Sequence, residues 1–181
     1  MAALLIIYYL IALYSSWRFF RRPRIPCTIT PPVSILKPIR GMDPENYENF
    51  ASLCRQDYPE YEILFCVNKP DDPVLPVIEQ IVRDFSERRI RILFGMGNTA
   101  SNDKVAKLGR LVSEAQSKIL VMGDSDVPVE PDYLRAVVAP FANPEIGAVT
   151  CLYMPVDNQT IAGNLRSIGM VSDFYAGLLV A

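Results

Sequence analysis

The sequence predicts an α/β domain with a mostly parallel sheet, preceded by one N-terminal membrane helix. Three observations predict it. Apolar runs of strand length alternate with amphipathic stretches of about 10–15 residues, the pattern of βαβ units. Those runs are apolar on both faces, as strands covered on both sides of a sheet must be. The chain also opens on "MAALLIIYYLIALYSSWRFFRRPR", which carries no charge before Arg18.

That opening stretch is just long enough to cross a bilayer, which takes roughly 17 residues or more. A signal peptide would carry its positive charge first and end at a small-residue cleavage site. Here the charge comes last, at Arg18, Arg21, Arg22 and Arg24, and bulky "SSWRFF" fills the place of a cleavage site. Tyr14, Trp17 and the arginines read as an interfacial belt with a basic flank, which puts the rest of the chain in the cytoplasm. Residues 1–22 are thus expected to form the anchor. Residues 23–32, "PRIPCTITPP", are expected to form an extended linker because proline blocks helix there. Residues 33–181 would form the domain.

Along that domain, "VSILKPI" (33–39) is the first strand, rich in β-branched residues and ended by Pro38. "MDPENYENFASLCRQ" follows as a helix, with Asp43 as cap, Pro44 in the first turn, and Tyr47, Phe50, Leu53 and Cys54 on one face. "YEILFCV" (61–67) is the second strand. "DDPVLPVIEQIVRDFSE" is the second helix, capped by Asp72 with Pro73 at its first position. "IRILFG" (90–95) is the third strand. Next come a flexible loop, "GMGNTASNDK", and a helix over 102–116 with Val105, Leu108, Leu111 and Val112 at helical spacing. "KILVMG" (118–123) is the fourth strand. A helix near 132–141 and a strand near 146–153 complete the series.

Composition narrows the chemistry. The 181 residues are half hydrophobic and 21% charged, enough for one domain with its own core. A net charge of −2 gives no basic field for nucleic acid. There is no histidine, which excludes histidine bases, triads and metal ligands from this chain. Cys27, Cys54, Cys66 and Cys151 show no CxxC spacing and read as reduced thiols rather than a zinc site. Neither a G-x-G-x-x-G nor a Walker A loop is present, so the sequence supports neither a dinucleotide fold nor a P-loop.

In parallel sheets ligands bind at the carboxyl ends of the strands. Asp124 and Asp126 sit just past the fourth strand, and Asp71 and Asp72 just past the second. All four carboxylates are therefore expected at one edge of the sheet. An Asp-x-Asp there can hold Mg²⁺ or Mn²⁺, which take carboxylate, water and phosphate oxygens. The simpler alternative is a turn whose aspartates bond local amides. Asp72 can act as a helix cap, leaving Asp71 to face a ligand. Lys104 and Lys107, one turn apart at the start of the third helix, can hold a diphosphate or lie solvated on an exposed face.

Taken together, "VSILKPIRGMDPENYENFASLCRQDYPEYEILFCVNKPDDP", "NDKVAKL" and "VMGDSDVPVEPDYL" resemble the ceramide glucosyltransferase family, glycosyltransferase family 21, whose bacterial members include hopanoid-glycosylating enzymes. The resemblance covers Val33 to about Tyr175. It implies a GT-A fold with an N-terminal membrane anchor. It further implies inverting transfer of a sugar from a UDP-sugar to a membrane lipid hydroxyl. By the same resemblance, Asp71 or Asp72 contacts the nucleotide and Lys104 matches a family lysine. Asp124 and Asp126 match the motif that holds ribose, metal and diphosphate. The family's third aspartate, its general base, and a Q/R-x-x-R-W motif lie farther downstream. The chain is accordingly expected to be C-terminally incomplete, a donor-binding fragment without turnover. One rival enzyme class is a haloacid-dehalogenase-type phosphatase, because "DSDV" fits D-x-D-x-[TV]. That class places its aspartate on the first strand, whereas here it follows the fourth.

Overall fold

The structure is a computed structural model in which residues 2–43, 45–95, 102–153, 165, 168–169 and 175–177 are described. The chain divides into two units, Met1–Ile25 with Gly147–Ala181, and Pro26–Ile146. In the first, α1 (Ala2–Phe20) has 19 residues, a length of about 28 Å at the helical rise. Its Ala3–Phe20 window has a mean hydropathy of 1.5, so α1 is long and apolar enough to cross a membrane. Leu4, Leu5, Ile6, Ile7 and Leu10 are all exposed, so the apolar surface runs around the helix rather than along one stripe. At its carboxyl end Tyr14 stacks on Trp17, with centroids 6.1 Å apart, and the Arg21 guanidinium lies 4.6 Å over the Trp17 ring.

The second unit alternates β1 (Val33–Pro38), α2 (Asn46–Cys54), β2 (Tyr61–Val67), α3 (Leu75–Asp84), β3 (Arg89–Phe94), α4 (Asp103–Glu114), β4 (Ile119–Met122) and α5 (Tyr133–Val138). All three strand pairings are parallel and the order is β3-β2-β1-β4. Side chains alternate across the strands. Ile35, Ile63, Phe65 and Val67 join a core with Phe50, Ile78, Ile81 and Leu134 on one face. Leu36, Leu64 and Cys66 meet Leu111 on the other. The first three strands step outward in one direction, then β4 returns to the opposite side of β1. That reversal makes the carboxyl ends of β1 and β4 the topological switch point, where open α/β sheets bind ligands.

The segment after β4 is clamped onto α2. Asp57 N donates to Pro131 O at 2.9 Å, Val129 N to Ser52 Oγ at 3.1 Å, and Leu134 N to Gln56 Oε1 at 3.0 Å. Gln56 is buried and its Nε2 also donates to Glu130 O at 2.8 Å. The return path of "DVPVEPD" is thereby fixed.

Several expectations are corrected. Residues 146–153 form no strand. They are rich in β-branched residues, but Val149 is exposed and no neighbouring strand pairs with them among the described residues. Strand propensity without a partner does not make a strand. Helix α3 begins at Leu75 rather than after Asp72. Asp72 instead closes a turn, its Oδ1 accepting from Val74 N at 3.2 Å and its carbonyl from Leu75 N at 3.0 Å. The N-cap of α2 is Glu45, without a side-chain bond, so Asp43 does not cap it. Pro44 and residues 96–101 of the expected loop lie outside the described residues, as does most of 154–181. Helix α5 gives way to a 3₁₀ turn at Ala139–Ala142, where Pro140 lacks the N–H an α-helix needs.

Cys54 is buried beneath this core, and burial pushes its thiol up to about 12. Above pH 9 an unfolded Cys54 would ionise before the folded one, so its contribution to stability is lost as pH rises towards 12. Iodoacetamide at pH 8 is expected to alkylate exposed Cys151 and to spare Cys54 until urea unfolds the chain. Peptide mass spectrometry reads both sites; equal rates without urea would show that α2 does not cover β2.

Candidate functional site

The switch point opens into a cleft with a volume of about 610 Å³. Arg40, just beyond β1, lines one wall. Asp124, Ser125 and Asp126, just beyond β4, line a second, and Asn102, Asp103 and Lys104 at the start of α4 a third. Each wall follows from a local rule. The ladder of β1 runs on for one residue, with Ile39 N donating to Cys66 O at 2.9 Å. At α4, Asn102 Oδ1 accepts from Lys104 N at 3.0 Å and Val105 N at 3.4 Å, an N-cap that fixes where the helix starts.

Lys37 supports the Asp-x-Asp turn from within β1. It is 3% exposed within β1 and its Nζ donates to the Asp124 carbonyl at 2.5 Å. Burial lowers its pKa to about 8, against the carboxylates of Asp124 and Asp126, which raise it. The space is tight: a Cβ on Gly123 would lie 3.3 Å from Lys37 Nζ. Lys37 thus fixes the backbone of the Asp-x-Asp turn across the β1–β4 seam.

The two candidate lysines of α4 part company. Lys104 Nζ makes an ion pair with Asp124 Oδ1, both groups being substantially exposed. Exposed pairs contribute little, so this one yields readily to a ligand. Lys107 is 1% exposed, and its Nζ reaches Ile39 O at 2.5 Å and Asp103 Oδ2 at 2.9 Å. It ties α4 to the end of β1 and, although it lines the cleft, its ammonium is buried rather than solvated. Asp71 is exposed and Asp72 half-buried beyond β2, and neither lines the cleft. The structure therefore brings Lys104, Asp124 and Asp126 together and leaves Asp71 and Asp72 one strand away. Sequence reasoning missed Lys37, Arg40 and Asp43 as members of this site. A lone cation inside the mostly apolar "VSILKPI" was the available signal for the first, since a strand covered on both faces has no solvent for it.

The fold is that of GT-A glycosyltransferases. It is similar to the mannosyltransferase PcManGT of Pyrobaculum calidifontis, solved in complex with GDP-Man and Mn²⁺, with a TM-score of 0.66 and 22% identity over 85% of this chain and 46% of that one. It is also similar to TarS of S. aureus, with a TM-score of 0.51 and 18% identity over 69% of this chain and 40% of that one. The family model of glycosyl transferase family 21 matches residues 1–181, and the chain belongs to that family. Among its relatives, the ceramide glucosyltransferase of Komagataella phaffii is 32% identical over 143 residues, 70% of this chain. Ceramide glucosyltransferase 3 of Caenorhabditis elegans is 30% identical over 119 residues, 66% of this chain. The chain spans 28% and 26% of the length of these two relatives.

Proposed function

We propose that this chain is the donor-binding part of a membrane-anchored inverting glycosyltransferase. It takes a UDP-sugar with Mg²⁺ or Mn²⁺, and the sugar passes to a hydroxyl of a membrane lipid. The observation that carries the reading is the convergence of Asp124, Asp126 and Lys104 at the β1–β4 switch point. The donor set suits such a cation. Among the described residues no group of three or more acidic or thiol side chains converges, and Mg²⁺ or Mn²⁺ needs only one or two carboxylates when phosphate and water complete the shell. Asp124 and Asp126 would hold it, and once bound it would offset the charge that develops on the departing diphosphate.

The chain's own residues do the rest. Lys37 holds the turn so that the Asp124 carboxylate faces the cleft. Lys104, moved off Asp124 when a ligand enters, is within reach of the diphosphate, and Arg40 adds a second cation. The loop after β2 approaches the same edge from the next strand, and Asp71 or Asp72 is assigned to the nucleoside. For these residues the proposal is donor binding; no general base is assigned among them. The family and fold argue against the phosphatase alternative.

UDP is expected to bind at least tenfold more tightly with Mn²⁺ than with chelator, about 1.4 kcal/mol, by isothermal titration. Equal affinities would remove the metal from the scheme. Lys104→Met is expected to strengthen Mn²⁺ binding without nucleotide, since the ion pair no longer competes, and to weaken UDP binding with Mn²⁺. If both move the same way, Lys104 has no role towards the diphosphate.

The arginines at and after the end of α1 support a domain on the cytoplasmic side by the positive-inside rule. A cysteine introduced at Thr99 should resist a membrane-impermeant maleimide in intact cells and react after lysis. Labelling in intact cells would reverse the orientation.

A further inference from the structure

Near the carboxyl end of α1 lies a second cavity, of about 360 Å³, lined by Tyr14, Arg18 and Phe19 of α1 and by Arg22 just beyond it, together with Thr150 and Leu152. Arg18 lies in the last turn of α1 and Arg22 two residues past its end, and both line this one cavity. Both are exposed, neither forms an ion pair among the described residues, and no acidic side chain lines the cavity. The anion would meet the end of a helix, where the dipole repels it. Two of the last carbonyls are occupied, however: Trp17 O accepts from Arg21 N at 3.3 Å and Phe19 O from Arg22 N at 3.2 Å. The guanidiniums are therefore the dominant electrostatic feature, and planar forks of this kind bind phosphate bidentately. The remaining walls are aromatic and aliphatic, with Phe19 exposed and continuous with the apolar surface of α1.

We infer that this cavity binds the phosphate headgroup of an anionic phospholipid, with Arg18 and Arg22 on the phosphate and an acyl chain along Phe19 and Leu152. The occupant follows from the combination present: two cations with no ion pair among the described residues, at the interfacial end of an apolar helix beside an apolar wall. A soluble phosphate ester would leave that wall unused. The inference rests on α1 lying in the bilayer.

The chain's single tryptophan, Trp17, sits beside the cavity and serves as reporter. The full chain is reconstituted in phosphatidylcholine nanodiscs with about 20% of one lipid brominated on its acyl chains, either phosphatidylglycerol or phosphatidylcholine, so that local anionic enrichment is measured directly. Brominated phosphatidylglycerol is expected to quench Trp17 at least roughly twofold more than brominated phosphatidylcholine at the same fraction. The excess should vanish in the R18Q/R22Q double variant and persist in Arg24→Gln. Quenching of the double variant by brominated phosphatidylcholine confirms that it is still inserted. Equal quenching by both lipids would overturn the site while leaving α1 in the membrane. No quenching by either lipid would overturn the membrane reading and this inference with it. An excess that survives in the double variant would mean diffuse surface attraction rather than this cavity. Loss of the excess on adding millimolar glycerol phosphate would assign the site to soluble esters.

Discussion

Replacing Asp124 with asparagine is expected to remove the metal-dependent part of UDP binding, a loss of roughly 100-fold or about 3 kcal/mol at saturating Mn²⁺. The substitution keeps the shape of the side chain and removes its charge. A neutral amide oxygen is a poor replacement for one of only two carboxylates facing a hard cation. The backbone should stay in place, because Lys37 grips the Asp124 carbonyl and not its carboxylate. Loss of the ion pair with Lys104 should cost the fold little, since both partners are exposed. Titration calorimetry with Mn²⁺ and with chelator separates the effects. A variant that retains the metal-dependent increment would show that the cation is held elsewhere.

Lys37→Met is expected to act on stability and binding in opposite directions. Lys37 is 3% exposed, and its pKa falls from an ordinary 10.5 to about 8 through burial. That difference corresponds to roughly 3 kcal/mol of folding free energy spent on keeping the ammonium charged inside. Methionine fills a similar volume without charge. It forfeits the bond to Asp124 O, worth about 1 kcal/mol, so the variant should be more stable at pH 7 by about 1–2 kcal/mol. The advantage is full below pH 8, where the folded wild type holds the proton. It shrinks between pH 8 and 10.5, where the folded lysine is neutral and the unfolded one still charged. Urea midpoints from pH 7 to 10.5 test this. UDP–Mn²⁺ binding should weaken at least tenfold, because the Asp-x-Asp turn is no longer fixed to β1. A variant that is less stable at pH 7, or binds as the wild type does, would contradict the positioning role. Such a trade is expected where a site keeps a group that the core would do without.

Much of the fold was legible in the sequence, for physical reasons that vary by element. The strand at 61–67 was read with the bounds Tyr61–Val67 that the structure shows, because a strand buried on both faces needs every residue apolar or satisfied. The strand at 146–153 failed because its residues carry propensity but no strand pairs with them among the described residues, and pairing is not a local property. Helix starts drifted for a related reason. The prolines of "DDPVLP" permit a first turn at several places, and the choice fell to Asp72 closing a turn ahead of the helix. In the site, Asp124, Asp126 and Lys104 share a cleft, as positions at a strand end and a helix start suggested. Lys107 was indistinguishable from Lys104 by sequence, since one turn of helix separates an exposed ammonium from one buried against Ile39. The buried role of Lys37 depends on a neighbour 87 positions away, which no window of local sequence contains.

That separation has a kinetic consequence. The β1–β2 register joins Val33 to Tyr61, whereas the β1–β4 register joins Val33 to Ile119. The nearer pairing closes a much shorter loop and is favoured to form first, and the distant one closes late. The donor cleft exists only along that late seam. A partly assembled sheet of β1, β2 and β3 would hold most of the hydrophobic core, yet have no place for a nucleotide. Acquisition of UDP affinity during refolding should therefore lag behind the recovery of helical signal, and a bound donor should slow opening of the β1–β4 seam more than that of any other part of the sheet.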